Sequence, residues 1–474
     1  MSAAVVQAGV PHGSREGGWL PDAVYTGGKV EQGLAFFADA MGRITRFSRE
    51  PADLAAARRL QGQLALPGLV NAHSHALHRV LRGRGERHSA SPDSGGRRGA
   101  EAAAWQEVSL RCHGENIFDA ARMAFLEMLL GGVTCVGEFH ALHHQPDGSP
   151  WPDSNFLAKE ILRAAHDVGI RLALLKVAQF RADFRAEPGT GPVRSRSGSV
   201  EAWVRDLELL RTAVEREYPV DEIWLGAAPD SLAQVPLEAM KAVASYARTQ
   251  RLRLHVHVAV TAEENAAGVA EFGRTPLALL AEHGVVDKRF TAVGAIHLSP
   301  DEVKLLGTTR AAVCACPGSE MRLGLGVAPV GAMLQSGAGV ALGTDTNARI
   351  DLLEEARLLD YRLRAGPAPE GLGRDWAAAA FHAATVSGAR CLGAPGGALE
   401  VGRPADFFTV NLHDPVLAGT DSTALLAAVV EALDRRAIRD VWIGARQRIA
   451  AGRHVNHGMI VGRFVDMQRR LWPA

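Results

Sequence analysis

Between residue 117 and about residue 390, apolar positions follow two alternating rhythms. Stretches with apolar residues three and four apart, the spacing of one helix face, give way to short continuous apolar runs rich in β-branched residues. The first rhythm predicts helices over 117–131, 155–168, 200–217, 237–248, 275–283, 300–308 and 329–334. The second predicts strands over 133–139, 172–177, 222–228, 252–258, 290–296, 312–316 and 339–344. One further apolar run, 66–71, precedes them. Strands that are apolar on both faces and joined by helical crossovers form a parallel sheet. Eight such units predict an α/β fold, a (β/α)8 TIM-like barrel over residues 66–390, with its chemistry at the C-terminal ends of the strands.

Outside that span the rhythm is shorter. Residues 19–65 read as short strands with turns at Gly27-Gly28 and near Gly42, plus a helical turn or two over 52–59. Past 390, hairpin-like pieces return at 396–411 and 441–453. Residues 1–65 and 391–474 are therefore expected to combine into one small composite β-sandwich domain. Residues 83–103 are polar, rich in breakers and without period. They read as a long loop just after the first barrel strand, an active-site lid in preference to a linker.

Composition sets bounds. A chain of 474 residues, 47% hydrophobic, can bury a large core and more than one domain. The 52 basic residues balance the 52 acidic ones, so no bulk field favours nucleic acid or an anionic membrane. No apolar run reaches the roughly 18 residues of a membrane span. The first residues lack the charged start and long apolar core of a signal peptide. Five cysteines without a CxxC pair suit a reducing compartment and no disulfide framework. The expectation is a cytoplasmic protein, a homodimer, whose partner is a small-molecule substrate.

The candidate chemistry lies where the predicted strands end. The first run closes with His73 and His75. Residues i and i+2 of a strand share a face, so both imidazoles can aim at one point, an arrangement suited to a first-row metal. Two surface histidines in a turn are the plain alternative. The second strand ends with Glu138, His140, His143 and His144, the third near Lys176, and the fourth with Asp230. The fifth carries His255 and His257, the sixth is followed by His297, and the eighth ends with Asp345. A single histidine is more often structural than ligating; this many at the converging ends of a barrel form a metal-site pattern.

These residues resemble the amidohydrolase superfamily. Pro67-Gly-Leu-Val-Asn-Ala-His-Ser-His75, His255-Val-His257, His297 after strand six and Gly343-Thr-Asp345 on strand eight carry the resemblance. It implies one divalent metal, zinc with iron as the alternative, held by His73, His75, His257 and Asp345. It also places His297 beside the substrate or the water, and Asp345 as the group that takes the water's proton. Three imidazoles and a carboxylate can hold zinc and leave room for a water. Strand four offers no lysine to bridge two metals, so a mononuclear site is expected. Within the superfamily the likeness extends to the N-formimidoyl-glutamate deiminases. It rests on Gly137-Glu-Phe-His-Ala-Leu-His-His-Gln-Pro-Asp-Gly148, Trp105-Gln-Glu107 and Ala228-Pro-Asp-Ser-Leu232. Those enzymes hydrolyse an imine C–N bond and release ammonia.

Several positions depart from that family. Val260 stands where the resemblance implies a proton-shuttling glutamate, and Glu263 and Glu264 come too late in the sequence to replace it directly. Gln106 and Ala233 replace two arginines suited to a dicarboxylate, Asp230 a histidine, Ala141 a tyrosine, and Asn347 a histidine. Gln106, Glu138, His140, Asp230 and Arg322 are the expected substrate-binding residues. His297, Asp230 and Glu138, with Asp345, are the alternatives for the proton shuttle. Arg79, Arg322 and Arg349 are each anion contacts or structural ion pairs. The sequence thus reads as a metal-dependent hydrolase of a non-peptide C–N bond in an amidine, imine or amide, diverged to a new small molecule. Two alternatives stand beside it: a true N-formimidoyl-L-glutamate deiminase of histidine degradation, and a metal-binding relative with lost or non-hydrolytic activity.

Overall fold

The computed structural model describes residues 16–84, 96–365 and 375–472. Eight parallel strands stand side by side in chain order: Leu69–Ser74, Val133–His140, Arg171–Ala178, Ile223–Pro229, Leu254–Val258, Phe290–Gly294, Ala312–Ala315 and Gly339–Leu342. The first and last meet through one bridge, between Ser74 and Asp345, so the barrel is nearly closed. The first three of these strands are buried along their whole length, which is why their sequences are continuous apolar runs rather than alternating ones.

The crossover helices follow the predicted rhythm. Phe156–Val168 buries Leu157, Ala158, Ile161, Leu162, Ala165 and Val168, one stripe spaced by threes and fours. It stops at Gly169, whose φ of +82° suits the left-handed end of a helix. Val200–Glu217 starts on Ser199, whose side chain accepts the Ala202 N–H.

Both chain ends build a separate nine-stranded sheet. Its seam is Arg58–Pro67 paired antiparallel with Phe407–Asn411, which ties the N-terminal segment to the C-terminal one. Trp19, Phe36, Phe407 and Trp442 fill its core, with Phe407 and Trp442 stacked at 4.5 Å between ring centroids.

Three differences from the sequence reading bear on how the barrel is framed. Leu66 and Pro67 belong to the terminal sheet, and the first barrel strand begins at Leu69. Gly68 makes that hand-over: a Cβ there would come within 2.2 Å of the Thr134 hydroxyl oxygen. Gly96–Ser109 is a helix, although 83–103 reads as loop, because the glycines and arginines at its start hide the regular spacing of Ala100, Ala104 and Val108. The remainder of the expected lid, 85–95, lies outside the described residues. Finally, the C-terminal segment is not only strands and turns. It ends in the helix His457–Leu471, which buries Ile460, Phe464, Met467 and Leu471 and pairs Arg463 with Asp119 at 2.9 Å.

Candidate metal centre

Strands one, five and eight bring four side chains to one point at the C-terminal mouth. One ligand atom each from His73, His75, His257 and Asp345 lies within 4.8 Å of the other three. The Nε2 atoms of His73 and His75 are 3.1 Å apart, and those of His73 and His257 are 3.3 Å apart. The Asp345 Oδ1 is 3.5 Å from His75 Nε2 and 3.8 Å from His73 Nε2. Burial, with the neighbouring imidazoles, pushes the His73 pKa well below its ordinary value. Burial and His257 bring that of His75 down to about 3. Both rings are therefore neutral, with lone pairs available. Three converging imidazoles, those of His73 and His75 held neutral, and a carboxylate are the donor set of a divalent first-row ion, so these residues fit the metal that the sequence predicts.

The backbone that carries them is tied across the barrel seam. His75 N–H donates to the Asp345 carbonyl at 2.9 Å, and the N–H groups of Thr344 and Asp345 donate to the His73 carbonyl at 3.0 and 3.1 Å. Behind them runs a buried chain of side chains. Asn71 Nδ2 donates to Thr344 Oγ1 at 2.7 Å, Thr344 Oγ1 to Asn347 Oδ1 at 2.6 Å, and Asn347 Nδ2 to Ser74 Oγ at 3.0 Å. Ser74 Oγ then donates to Glu138 Oε2 at 2.8 Å, while Ala76 N–H donates to Glu138 Oε1 at 2.7 Å. Burial raises the Glu138 pKa to about 8 despite those two bonds. Backbone with positive φ recurs at this end of the barrel: Ala259 at 53°, Ala295 at 50°, Asp345 at 45° and Asn347 at 54°. Such backbone persists where surrounding bonds over-determine it; the Ala259 carbonyl, for example, accepts the N–H groups of Ile296 and His297.

Asp230, expected as a substrate contact, lies against His257. Its Oδ1 lies 3.1 Å from His257 Nδ1, and Gln179 Nε2 donates to its Oδ2. This bond places the His257 proton on Nδ1 and leaves Nε2 to face His73. Burial would lower the His257 pKa, but Asp230 outweighs it and the value is raised. For His297, Nε2 is 2.7 Å from the Leu325 carbonyl oxygen, so that nitrogen is engaged by the loop after strand seven. Arg322 pairs with Glu101 at 2.5 Å and donates to Thr346 Oγ1 at 2.8 Å. Arg79 pairs with Glu127, and Arg349 with Asp351. His255, His143 and His144 sit against the backbone carbonyls of Cys391, Val177 and Arg196, as structural histidines do.

A cavity of about 1150 Å³ opens over the centre. His75, His257 and Asp345 form part of its wall, and Gln106, Glu138, His140 and Asp230 line it as well. Two residues that sequence reasoning did not place there also line it. Arg194 comes from the long connection after strand three. Glu264 comes from the first turn of helix Ala262–Phe272, and its Oε2 accepts the Val260 N–H at 2.9 Å. Sequence distance argues against Glu264 because it assumes a continuing strand. The chain instead turns at Ala259 and caps a helix at Thr261, and the Thr-x-x-Glu spacing of a capping box is the signal for that turn.

Comparison with known proteins agrees with this geometry. The model of the Amidohydrolase family matches residues 64–455. A formimidoylglutamate deiminase from Pseudomonas aeruginosa is 33% identical over 428 residues, spanning 88% of this chain and 92% of that protein. A 5-methylthioadenosine/S-adenosylhomocysteine deaminase from Teredinibacter turnerae is 28% identical, over 82% of this chain and 80% of its own length. Among solved structures, an amidohydrolase from Brucella melitensis superposes with a TM-score of 0.87 at 25% identity, over 96% of this chain and 99% of that one. An adenosine deaminase from Xanthomonas campestris with bound zinc shares the fold at a TM-score of 0.79 and 24% identity, over 96% of this chain and 98% of its own.

Proposed function

The chain belongs to the amidohydrolase family, and from that membership we propose that it hydrolyses a non-peptide C–N bond, releasing ammonia or an amine from an amidine or imine. The observation that carries this reading is the convergence of His73, His75, His257 and Asp345 at the floor of a large cavity. The donor set favours zinc. When bound, the divalent ion supplies Lewis-acid activation of water and of the electrophilic carbon.

The residues of the chain supply the rest. Asp230 fixes the His257 ring. Asp345, on the cavity wall, would take the proton of the attacking water. The leaving nitrogen needs a proton delivered from within the cavity, and Val260 carries none. We assign that transfer to Glu264, whose carboxylate is anchored at the Val260 backbone and faces the same cavity. The absence of arginine at 106 and 233 speaks against a dicarboxylate and for a substrate other than formimidoyl-glutamate.

The test is ammonia release from a panel of amidines, with formimidoyl-glutamate and simple amides included, by the zinc-loaded protein. Turnover of an amidine other than formimidoyl-glutamate is expected. Glu264→Gln should lower kcat by about 10²–10⁴-fold with metal content unchanged. Efficient turnover of formimidoyl-glutamate would show that the substrate has not diverged. Lack of turnover across the panel, in parent and in Val260→Glu alike, would favour the metal-binding, non-hydrolytic alternative.

A further inference from the structure

The cavity wall is electrically lopsided. Around the metal centre and at the mouth its charged groups are carboxylates, among them Asp345, Asp230, Glu264 and Asp183. Among the described residues that line it, Arg194 is the single lysine or arginine. That arginine is 2% exposed. Its Nε donates to the His144 carbonyl at 3.0 Å and its Nη1 to the Ser109 carbonyl. Its Nη2 is buried with no hydrogen-bond partner. Burial lowers the guanidinium pKa, opposed by the neighbouring Cys112 thiol and not by a carboxylate.

A buried guanidinium without a counter-charge is costly. The Ser109 carbonyl ends the helix Gly96–Ser109 and offers a partial negative charge, not a full one. His140 lies near this arginine on the cavity wall, 2% exposed, with its ring in contact with the Leu142 backbone. Burial, with the nearby Lys176 and Arg194, keeps that imidazole neutral, its pKa down at about 3. A neutral imidazole can donate one N–H. Behind it, Lys176 is buried and donates to Asn155 Oδ1 at 2.8 Å rather than to a carboxylate. This patch therefore holds positive charge and an unused guanidinium donor, while carboxylates line the cavity around the centre.

We propose that Arg194, with His140 beside it, is the subsite for one carboxylate of the substrate, so that the substrate is a monocarboxylic amidine or guanidine with its C=N end at the histidine–aspartate centre. The inference rests on the cavity being the hydrolytic site of the preceding section. It narrows that reading in one respect: a second carboxylate on the ligand would meet no further cation among the described lining residues and would face Asp230 or Glu264 instead. Arg194 is pre-organised for the task, because two of its arms are already fixed by backbone carbonyls and only Nη2 remains to be satisfied.

Three probes decide the matter: 4-guanidinobutyrate, its neutral amide 4-guanidinobutyramide, and the dicarboxylate 2-guanidinoglutarate. Their binding to the full chain is measured by calorimetry, with ammonia release followed in parallel. The monocarboxylate is expected to bind about 10- to 100-fold more tightly than the amide, the worth of one charge-assisted hydrogen-bonded pair, and more tightly than the dicarboxylate. In Arg194→Gln the preference for carboxylate over amide should vanish. Because that substitution also releases the Ser109 and His144 carbonyls, the parent protein alone is decisive. Equal affinity of the parent for acid and amide overturns the subsite, and so does tighter binding of the dicarboxylate. Preferential binding of the monocarboxylate without turnover of any amidine supports the subsite and overturns the hydrolase reading. Turnover with no carboxylate preference does the reverse.

Discussion

Asp230 shows how one residue acts through another. Its carboxylate bonds the ring nitrogen of His257 that faces away from the centre, and Gln179 fixes the carboxylate in turn. Partners of this kind orient a ligating imidazole and raise its basicity, and their loss ordinarily costs 10–100-fold in metal affinity. Asp230→Asn keeps the size and an accepting oxygen but removes the charge, so it should weaken divalent-metal binding toward the lower end of that range, and Asp230→Ala toward the upper end. Competition with a chromophoric chelator measures it, without any need for a substrate. Unchanged affinity in Asp230→Ala would return Asp230 to the substrate-contact role that sequence alone suggests. The four converging side chains were legible in the sequence because each is tied to a strand end, and strand ends are marked by apolar runs. The role of Asp230 was not, since a strand-end carboxylate looks the same whether it meets a substrate or a histidine. Only the 3.1 Å contact separates the two.

At the scale of elements, two buried clusters make opposite demands on pH and packing. The Asn71–Thr344–Asn347–Ser74 chain ties the first strand to the last, and its members are almost wholly buried. Thr344→Val keeps the shape but strands the Asn71 amide and the Asn347 carbonyl oxygen. A loss of about 2–6 kcal/mol follows from one to three for each orphaned group, read as a lowered denaturation midpoint. The second cluster lies between the helices Pro317–Leu323 and Leu352–Ala365, where Glu320 and Glu355 share one guanidinium, Arg362. Arg362 bonds Glu320 at 2.5 Å, while Glu355 accepts the Gly318 N–H. Burial and the neighbouring Glu320 raise the Glu355 pKa from 4.5 to about 8. The folded state therefore binds a proton that the unfolded chain gives up, and stability from this group is full below about pH 4.5 and lost as pH rises through about 8. Glu355→Gln should flatten that part of the stability–pH curve in a series of thermal melts, and a slope unchanged by the substitution would place the titrating group elsewhere. Of these elements, the strands and helices follow from periodicity. The helix Gly96–Ser109 did not, because breakers at its start outweigh its apolar spacing in a local reading.

For the whole molecule the question is what closes the barrel. Six of the eight junctions between neighbouring strands are parallel ladders of several residue pairs; the fourth and fifth strands register at one pair, Ala227 with Leu254, and the first and last meet only at the bridge between Ser74 and Asp345. The centre sits on that junction: His73 and His75 come from one side of it, Asp345 from the other, and His257 from across the barrel. A divalent ion held by all four would cross-link the seam, and any species that binds only the folded state stabilises it by mass action, by about 2.7 kcal/mol at a hundredfold excess over Kd. Removing the ion by chelation should therefore lower the thermal midpoint, and the loss should be local before it is global. Amide exchange is expected to quicken first at His75, Thr344 and Asp345, whose N–H groups bond across the seam, and least in Arg171–Ala178, which has a full ladder on each side. Readdition of zinc should restore both measures. A uniform rise in exchange across all eight strands would mean that the ion adds stability without holding the seam. No change on chelation would mean that the buried network behind His73 and Asp345 closes the barrel unaided.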